Sequence, residues 1–325
     1  MQNARKSKII VILGPTSSGK SDVAISLAQK FDGEVISADS RQIYRGLDIG
    51  TGKIEKDRSK VKSQKSKVQL KTQKLRPYYS EGIAHYLIDI VNPRTDYNVA
   101  KFKKDAERII IDILRRGKVP IICGGTGFWI RSVVDNITYP EVKPDWELRN
   151  KLRNKTADEL FSELKKLDPV RAENIDRKNK VRLIRAVEIC KTLGKVPDTK
   201  YQTHNSKYDF LQIGISLPKE KLHENIRIRL KKRFEAGMVE EVEKMHKIDK
   251  LSWKKIESFG LGYLWIPKFL RGKIKTKEEL FEKVFQAEKD YAKRQMTWFK
   301  KDARIRWLEK ETKIEKEAGI FLFQK

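Results

Sequence analysis

The stretch that decides the fold is KIIVILGPTSSGKSDVAISLAQKF, residues 8–31. Residues 8–13 are apolar enough for a buried strand, and residues 20–31 place apolar side chains at helical spacing. The turn between them, GPTSSGKS, satisfies the G-x-x-x-x-G-K-[ST] pattern of loops that wrap a phosphate chain. The segment therefore predicts a strand, a phosphate-binding loop (P-loop) and a helix, in that order.

The residue types of this loop suit a di- or triphosphate. Its glycines let backbone N–H groups approach the oxygens, and the start of the following helix adds a positive dipole. Lys20 would neutralise phosphate oxygens, and Ser21 would be a ligand of Mg²⁺. The predicted site comprises Gly14, Pro15, Thr16, Ser17, Ser18, Gly19, Lys20 and Ser21. The Asn-Lys-x-Asp and Asp-x-x-Gly motifs of nucleoside-triphosphate switches are absent from the sequence, whereas a small-molecule kinase stays possible.

The remainder of the chain alternates strands and helices before it becomes helical. Strands are predicted at residues 34–38, 85–91, 119–123 and 210–216, and a helix at 99–116. The expected fold is α/β, a P-loop NTPase-like parallel sheet flanked by helices. An all-helical insertion domain is predicted at 138–204, with helices at 145–154, 157–167 and 179–193, and the catalytic core at 1–137 and 205–325. Residues 220–300 are predicted to form basic helices that are interrupted at residues 258–262.

Net charge points to a polyanionic partner. The 72 Lys and Arg residues outnumber the 44 Asp and Glu residues, which gives a formal charge of +28. Nucleic acid is the first candidate, and a proteome whose surfaces are all basic is the alternative. The two cysteines form no metal or disulfide pattern, which fits a reducing cytoplasm. No apolar run reaches the roughly 18 residues of a membrane span.

A lysine-rich segment at residues 53–76 differs from its surroundings in composition. It combines many Lys and Ser residues with few acidic ones, which predicts a mobile loop. Two roles stay open for it: a grip on RNA phosphates, or a solvated spacer.

A candidate catalytic carboxylate follows the second predicted strand. Asp39 stands in ISADSRQIYRGLDIGTGK (36–53), at the sheet edge where such folds place their ligands. The alternative is that Asp39 only caps the following turn. GGTG at 124–127 follows another strand and could present backbone N–H groups and the Thr126 hydroxyl to an anion.

Five separated motifs, taken together, resemble one enzyme family. They are GPTSSGKS (14–21), ISADSRQIYRGLDIGTGK (36–53), HYLIDI (85–90), PIICGGTGFWI (120–130) and AKRQMTWF (292–299). In this order the chain resembles the tRNA dimethylallyltransferases, which prenylate an adenosine beside the anticodon. The match runs from residue 8 to about 308, which makes it far more specific than the loop alone.

The resemblance implies the reaction and assigns roles to residues. The loop would hold the diphosphate of dimethylallyl diphosphate rather than a nucleotide such as ATP, with Arg229 helping and Mg²⁺ as cofactor. Asp39 would be the general base, and Thr126 would lie close to the reacting centre. The partner would be the anticodon stem-loop of tRNA and the enzyme a monomer. The implied tRNA contacts are Asp39, Ser40, Arg41, Gln42, Thr126, Arg149, Lys180, Val181, Arg182, Leu183, Ile184, Lys293 and Arg294.

The chain departs from the family pattern at three places. Residues 51–54 read TGKI where the family usually has Thr-Ala-Lys-Pro, residues 84–86 read AHY in place of Pro-His-His, and Asn225 replaces an arginine. These departures affect the phosphate contacts around Asn225 and any role of Tyr86.

The sequence alone leaves three other functions open. An adenylate prenyltransferase would act on free nucleotide, a small-molecule kinase would transfer a phosphoryl group, and a non-catalytic RNA-binding protein would form no product. The basic helices at 222–301 favour RNA over free nucleotide.

Overall fold

The computed structural model describes residues 6–57, 75–197 and 207–324. The chain divides into two compact units, Met1–Asp135 with His204–Lys325, and Asn136–Thr203. The first unit is α/β and the second is helical. Most of the lysine-rich segment, residues 58–74, lies outside the described residues.

A seven-stranded sheet forms the centre of the α/β unit. Its strands β1 to β7 are Ser7–Leu13, Gly33–Ser37, Tyr78–Ser80, Ile83–Tyr86, Val119–Gly124, Tyr208–Ile215 and Arg306–Leu308. Their order in space is β3-β4-β2-β5-β1-β6-β7, and only the β3–β4 pair is antiparallel. The connection leaving β1 runs toward β2, and the one leaving β5 runs the opposite way, toward β6. Such a reversal opens a crevice at the carboxyl ends of the strands.

Helices cover both faces of this sheet. Those of the α/β unit are α1 Lys20–Lys30, α2 Val99–Arg115, α3 Gly127–Val134, α8 Lys219–Glu235, α9 Met238–Lys247, α10 Trp253–Glu257, α11 Gly262–Leu270, α12 Lys277–Phe299 and α13 Glu311–Phe323. Because side chains alternate along β1, Ile10 and Ile12 join α1 and α13 in one buried cluster, while Ile9 and Val11 join the larger cluster that contains α2, α8 and α12. The α/β sandwich predicted from the sequence is confirmed.

The helical unit has its own small core. Its helices are α4 Trp146–Arg153, α5 Ala157–Leu167, α6 Pro169–Glu173 and α7 Lys180–Leu193. Leu160 and Leu164 of α5 pack with Leu183 and Val187 of α7. A capping box at Thr156 begins α5, since its side chain accepts from the Glu159 amide while the Glu159 carboxylate accepts from the Thr156 amide.

The sheet differs from the prediction in three places. The strand expected at 85–91 ends at Tyr86, because Leu87 and Asp89 adopt left-handed backbone conformations, with φ of 62° and 57°. β3 was not predicted. It pairs with β4 through a tight turn at Glu81–Gly82, where both φ angles are positive. β7 was also missed, because three residues at a sheet edge carry no periodic signal.

Across residues 6–57, 75–197 and 207–324, none of the helices combines the length and the apolar character needed to cross a membrane.

Candidate active site

One cleft lies at the carboxyl edge of the sheet, within the α/β unit. It encloses about 650 Å³ of empty space, its open mouth included. Segments that are distant in sequence form its walls, namely the loop at residues 14–21 (the glycine loop), the ends of β2, β4 and β5, the segment 51–54, α8 and α12. Its lining residues are Thr16, Lys20, Ser21, Val35, Ser37, Asp39, Gln42, Thr51, Ile54, His85, Ile88, Cys123, Gly124, Gly125, Arg229, Tyr291 and Gln295.

The glycine loop presents donors to this cleft. Thr16, Lys20 and Ser21 line it. The hydroxyls of Ser17 and Ser18 are buried and have no hydrogen-bond partner within the described residues. A buried hydroxyl without a partner is costly, so these two groups suit an incoming acceptor such as a phosphate oxygen. Gly14, Pro15 and Gly19 shape the loop, with φ of 149° at Gly14 and 84° at Gly19.

Two cations face the cleft without a carboxylate partner. Lys20 donates to the Pro15 carbonyl, and Arg229 donates to the Gly52 carbonyl at 2.7 Å and the Thr16 hydroxyl at 3.4 Å. Neither forms an ion pair among the described residues. Burial lowers the pKa of Lys20 to about 8, and burial followed by the nearby Arg233 lowers that of Arg229. Burial thus disfavours both charges, and because neither is neutralised by a carboxylate among the described residues, an anion bound in the cleft would stabilise them.

The Asp39 side chain lines the cleft and also accepts hydrogen bonds from the turn that follows Asp39. Its Oδ1 accepts from the Arg41 amide at 2.8 Å and the Gln42 amide at 3.3 Å. The capping role left open by the sequence is thus present in the structure. Both bonds use one carboxylate oxygen, which leaves Oδ2 to accept a proton. The two interpretations of Asp39 are compatible.

Close packing of β2 against β5 fixes the position of this carboxylate. A Cβ on Gly124 would lie 2.3 Å from the Ala38 carbonyl oxygen. The backbone before Asp39 therefore lies so close to β5 that any residue other than glycine at position 124 would clash with it. The Ala38 amide donates to the Cys123 carbonyl, and the Thr126 amide donates to the Ala38 carbonyl. Glycine at 124 is therefore required for the placement of Asp39.

Thr126 contacts the Asp39 turn but is not part of the cleft lining. Its hydroxyl accepts from the Ser40 amide at 3.1 Å, and its side chain is also hydrogen-bonded to Tyr291. Burial raises the pKa of Tyr291, so that phenol stays protonated in the cleft. Tyr291 carries no motif of its own, and sequence reasoning missed it.

Gln295 ties the glycine loop to the end of β5. Its Oε1 accepts from the Thr16 amide at 2.8 Å, and its Nε2 donates to the Gly125 carbonyl at 2.9 Å. The sequence placed Gln295 within the AKRQMTWF motif on a basic helix. In the structure Gln295 is buried, whereas its neighbours Lys293 and Arg294 are exposed on the same helix.

The predicted RNA-contact residues near Asp39 have internal partners. Arg41 Nε donates to the Phe259 carbonyl at 2.6 Å, and Gln42 Nε2 donates to the Gly52 carbonyl at 3.3 Å. Gln42 lines the cleft, whereas the guanidinium of Arg41 is tied to the break between α10 and α11.

The predicted RNA contacts in the helical unit fall into two groups. Val181 and Arg182 are exposed, and Lys180 donates to the Arg153 carbonyl. Leu183 and Ile184 are buried in the core of the unit. Their side chains serve packing, so within the predicted 180–184 stretch it is the exposed Val181 and Arg182 whose side chains are open to a partner, and the assignment of the stretch to RNA stays a prediction. Arg149 makes two 2.8 Å hydrogen bonds to the fully buried Glu188, so part of its charge is already neutralised.

His85 is a further cleft residue that the sequence did not identify. It lies in β4 beside Val35 of β2 and is only 3% exposed, and its Nε2 has no partner among the described residues. Burial lowers the pKa of His85 to about 4. The ring is therefore neutral at physiological pH.

The lowered pKa of His85 predicts an acid-dependent loss of stability. An unfolded histidine titrates near pH 6.5, so between that pH and 4 the unfolded chain binds more protons than the folded one. The free energy of unfolding should fall as pH drops through this window, by at most about 3 kcal/mol from His85. Urea unfolding of wild type and His85→Gln at several pH values measures the difference. Equal pH slopes for the two proteins would contradict the expectation.

Comparison with known proteins places this geometry in a family. The IPP transferase family model matches residues 66–302, and the isopentenyl transferase model matches residues 7–76. A tRNA dimethylallyltransferase of Acetivibrio thermocellus is 39% identical over 93% of this chain and 92% of its own length. One of Carboxydothermus hydrogenoformans is 37% identical over 96% and 98%.

Solved structures agree with the sequence matches. The full-length tRNA isopentenylpyrophosphate transferase of Bacillus halodurans has a TM-score of 0.68 at 29% identity, covering 98% of this chain and 97% of that one. A eukaryotic dimethylallyltransferase captured acting on tRNA has a TM-score of 0.74 at 25% identity, covering 97% and 78%. Similarity therefore extends over nearly the whole chain in both sequence and fold. The chain belongs to the tRNA dimethylallyltransferase (IPP transferase) family.

Proposed function

We propose that this protein transfers a dimethylallyl group from dimethylallyl diphosphate to the exocyclic N6 of the adenine next to the anticodon, position 37 of tRNA. The products are N6-dimethylallyladenosine and diphosphate. The observation that carries the proposal is one cleft in which Lys20 and Arg229, two cations that form no ion pair within residues 6–57, 75–197 and 207–324, share space with the carboxylate of Asp39. The names of the relatives support the same reaction.

The cationic side of the cleft suits the leaving group. Negative charge develops on the diphosphate as the bond between its oxygen and the first prenyl carbon breaks. Lys20 and Arg229 would neutralise that charge. Ser17 and Ser18 lie in the same loop but outside the cleft lining, and their hydroxyls, which have no partner among the described residues, would donate to phosphate oxygens that reach the loop. Donors placed in advance in a buried site stabilise a transition state more than they would in water.

Asp39 suits the acceptor side of the reaction. The lone pair of an adenine amine is delocalised into the ring, so the amine is a weak nucleophile until its proton is removed. As the N6–carbon bond forms, Asp39 Oδ2 would take that proton. The hydrogen bonds from the Arg41 and Gln42 amides to Oδ1 hold the carboxylate in place during the step.

The cleft also fits a magnesium ion that is held mainly by its substrate. Among the described residues no three His, Cys, Asp or Glu side chains are grouped to hold a metal. Ser21 lines the cleft beside Lys20 and can supply one hydroxyl ligand. Mg²⁺ commonly combines a few protein ligands with water and substrate phosphates. When bound, it would neutralise charge on the diphosphate.

Binding of tRNA would use basic side chains outside the cleft. A base in an anticodon loop has to be splayed out to reach a buried carboxylate, while the rest of the RNA is held through its phosphates. Lys293 and Arg294 on α12, and Arg182 on α7, are exposed cations of the kind required. We propose a monomer acting in the cytoplasm.

Product mass tests the proposal directly. Unmodified tRNA, or its anticodon stem-loop, is incubated with dimethylallyl diphosphate, Mg²⁺ and the enzyme, and the digested nucleosides are analysed by mass spectrometry. A prenyl adduct on the adenosine beside the anticodon is the expected result. An adduct formed only on free AMP, a phosphoryl adduct when ATP replaces the prenyl donor, or no adduct at all would overturn it.

A further inference from the structure

The segment at residues 48–53 is held in place by side chains from α8 and α9. One oxygen of Glu241, Oε2, accepts from the Asp48 amide at 2.8 Å and the Ile49 amide at 2.7 Å. The other, Oε1, accepts from the Gly50 amide at 3.0 Å and the Tyr263 hydroxyl at 2.7 Å. Three successive backbone N–H groups thus close around one carboxylate, an arrangement that binds anions well.

A second contact fixes the same segment from α8. Arg233 is buried, donates to the Gly50 carbonyl at 2.9 Å and pairs with the buried Glu288 of α12. Glu288 thereby neutralises Arg233, whereas Arg229, one helical turn earlier on α8, has no carboxylate partner among the described residues. Glu241 thus holds the backbone N–H groups of residues 48–50, and Arg233 holds the Gly50 carbonyl.

A third carbonyl-containing contact joins the same segment to Arg229, one of the two cations of the cleft. Gly52 O accepts from Arg229 at 2.7 Å and from Gln42 Nε2 at 3.3 Å. Gly52 has a φ of +57°, and a Cβ there would lie 2.2 Å from a terminal nitrogen of Arg229. The guanidinium therefore fills the space that any other residue at position 52 would occupy.

We propose that Glu241 is a positioning residue of the diphosphate site. It acts by fixing residues 48–50 so that the Gly52 carbonyl aims Arg229 at the glycine loop, where Arg229 also reaches the Thr16 hydroxyl. The role rests on one part of the proposed function, the binding of a diphosphate in the cleft, and not on the transfer of the prenyl group. Glu241 touches no substrate itself, and it lies outside the residues that line the cleft.

Replacing Glu241 with glutamine keeps the size of the side chain but removes part of its capacity to accept hydrogen bonds. Both carboxylate oxygens accept from N–H or O–H donors, so an amide NH₂ must face at least one donor. The segment should then shift while the fold persists. Glu243→Gln is the matched control, since Glu243 lies on the same helix and pairs with the exposed Lys247.

Calorimetry of the intact protein measures its affinity for inorganic diphosphate in the presence of Mg²⁺. Steady-state kinetics gives the KM values of the prenyl donor and of tRNA. Glu241→Gln should raise the Kd of diphosphate and the KM of the prenyl donor roughly tenfold, as expected for a misplaced charge-assisted hydrogen bond. The KM of tRNA should stay within about twofold. Gly52→Ala, which displaces Arg229 without touching α9, should raise the diphosphate Kd in the same way.

A double mutant separates positioning from general damage. In an Arg229→Gln background, Glu241→Gln should add less than about twofold to the diphosphate Kd, because the residue it acts through is gone. A full tenfold effect in that background, an unchanged donor KM in Glu241→Gln, or an equal rise in both KM values would overturn the inference. If no prenyl adduct forms but diphosphate binds with these dependences, the proposed function fails and the role of Glu241 stands.

Discussion

Replacing Asp39 with asparagine is expected to lower kcat by roughly 10² to 10⁴, the usual span for loss of a general base. Asparagine keeps an Oδ1 that can accept from the Arg41 and Gln42 amides, so the turn should persist. What is lost is the basicity of the second oxygen, which is where the amine proton has to go. Affinities for tRNA and the prenyl donor should change by less than about tenfold.

Single-turnover prenylation and thermal unfolding, measured together, distinguish this role from a purely structural one. Asp57→Asn is the control, because the Asp57 carboxylate also accepts two backbone N–H bonds, from Glu81 and Gly82, but lies outside the cleft. If Asp39→Asn loses about 1 kcal/mol of stability, the usual value of a cap, and keeps near-normal chemistry, Asp39 is only a cap.

Replacing Lys20 with alanine is expected to cost on the order of 3 kcal/mol of transition-state stabilisation, about a hundredfold in rate. In the described part of the chain, Lys20 and Arg229 are the cations that line the cleft and neither forms an ion pair, so the diphosphate would lose one of these two positive charges. Stability should be unchanged or slightly higher, since the lowered pKa of Lys20 shows that burial disfavours its charge. Steady-state kinetics at saturating and subsaturating donor test this, and unchanged turnover at both would remove the glycine loop from the mechanism.

The pKa of Lys20 adds a pH signature to the same variant. Because burial lowers this pKa to about 8, the free enzyme loses the charge as pH rises through that value. The ratio kcat/KM for the prenyl donor reports on the free enzyme, so it should fall above about pH 8. A Lys20→Ala profile that retains the same break would assign it to another group.

The local parts of the structure could be predicted from the sequence. The run IIVIL followed by GPTSSGKS fixes β1, the glycine loop and α1, because apolar periodicity and the glycine spacing act within a few residues. Asp39 was predicted at the sheet edge because it directly follows the strand predicted at 34–38, which corresponds to β2. Parallel strands end at one edge, so this inference needed no knowledge of distant contacts.

Long-range contacts between side chains and backbone could not be predicted in this way. Gln295 bonds the Thr16 amide and Glu241 bonds the Asp48 amide, and no local pattern specifies which backbone N–H a distant carbonyl or carboxylate will find. Leu183 and Ile184 were assigned to RNA by motif position. Helical spacing places Leu183 with Val187 and Cys190 on an apolar face, and that signal was available.

The bond between the Thr16 amide and Gln295 joins residues 279 positions apart. A ribosome therefore synthesises the glycine loop 279 residues before Gln295, the side chain that holds it. A chain released by a stop codon just before α12 would contain β1 to β6 and the entire GPTSSGKS motif, yet it would lack both Tyr291 and Gln295. A nonsense mutation at any codon between the glycine loop and Gln295 is accordingly expected to abolish activity, even where it leaves the whole GPTSSGKS motif intact.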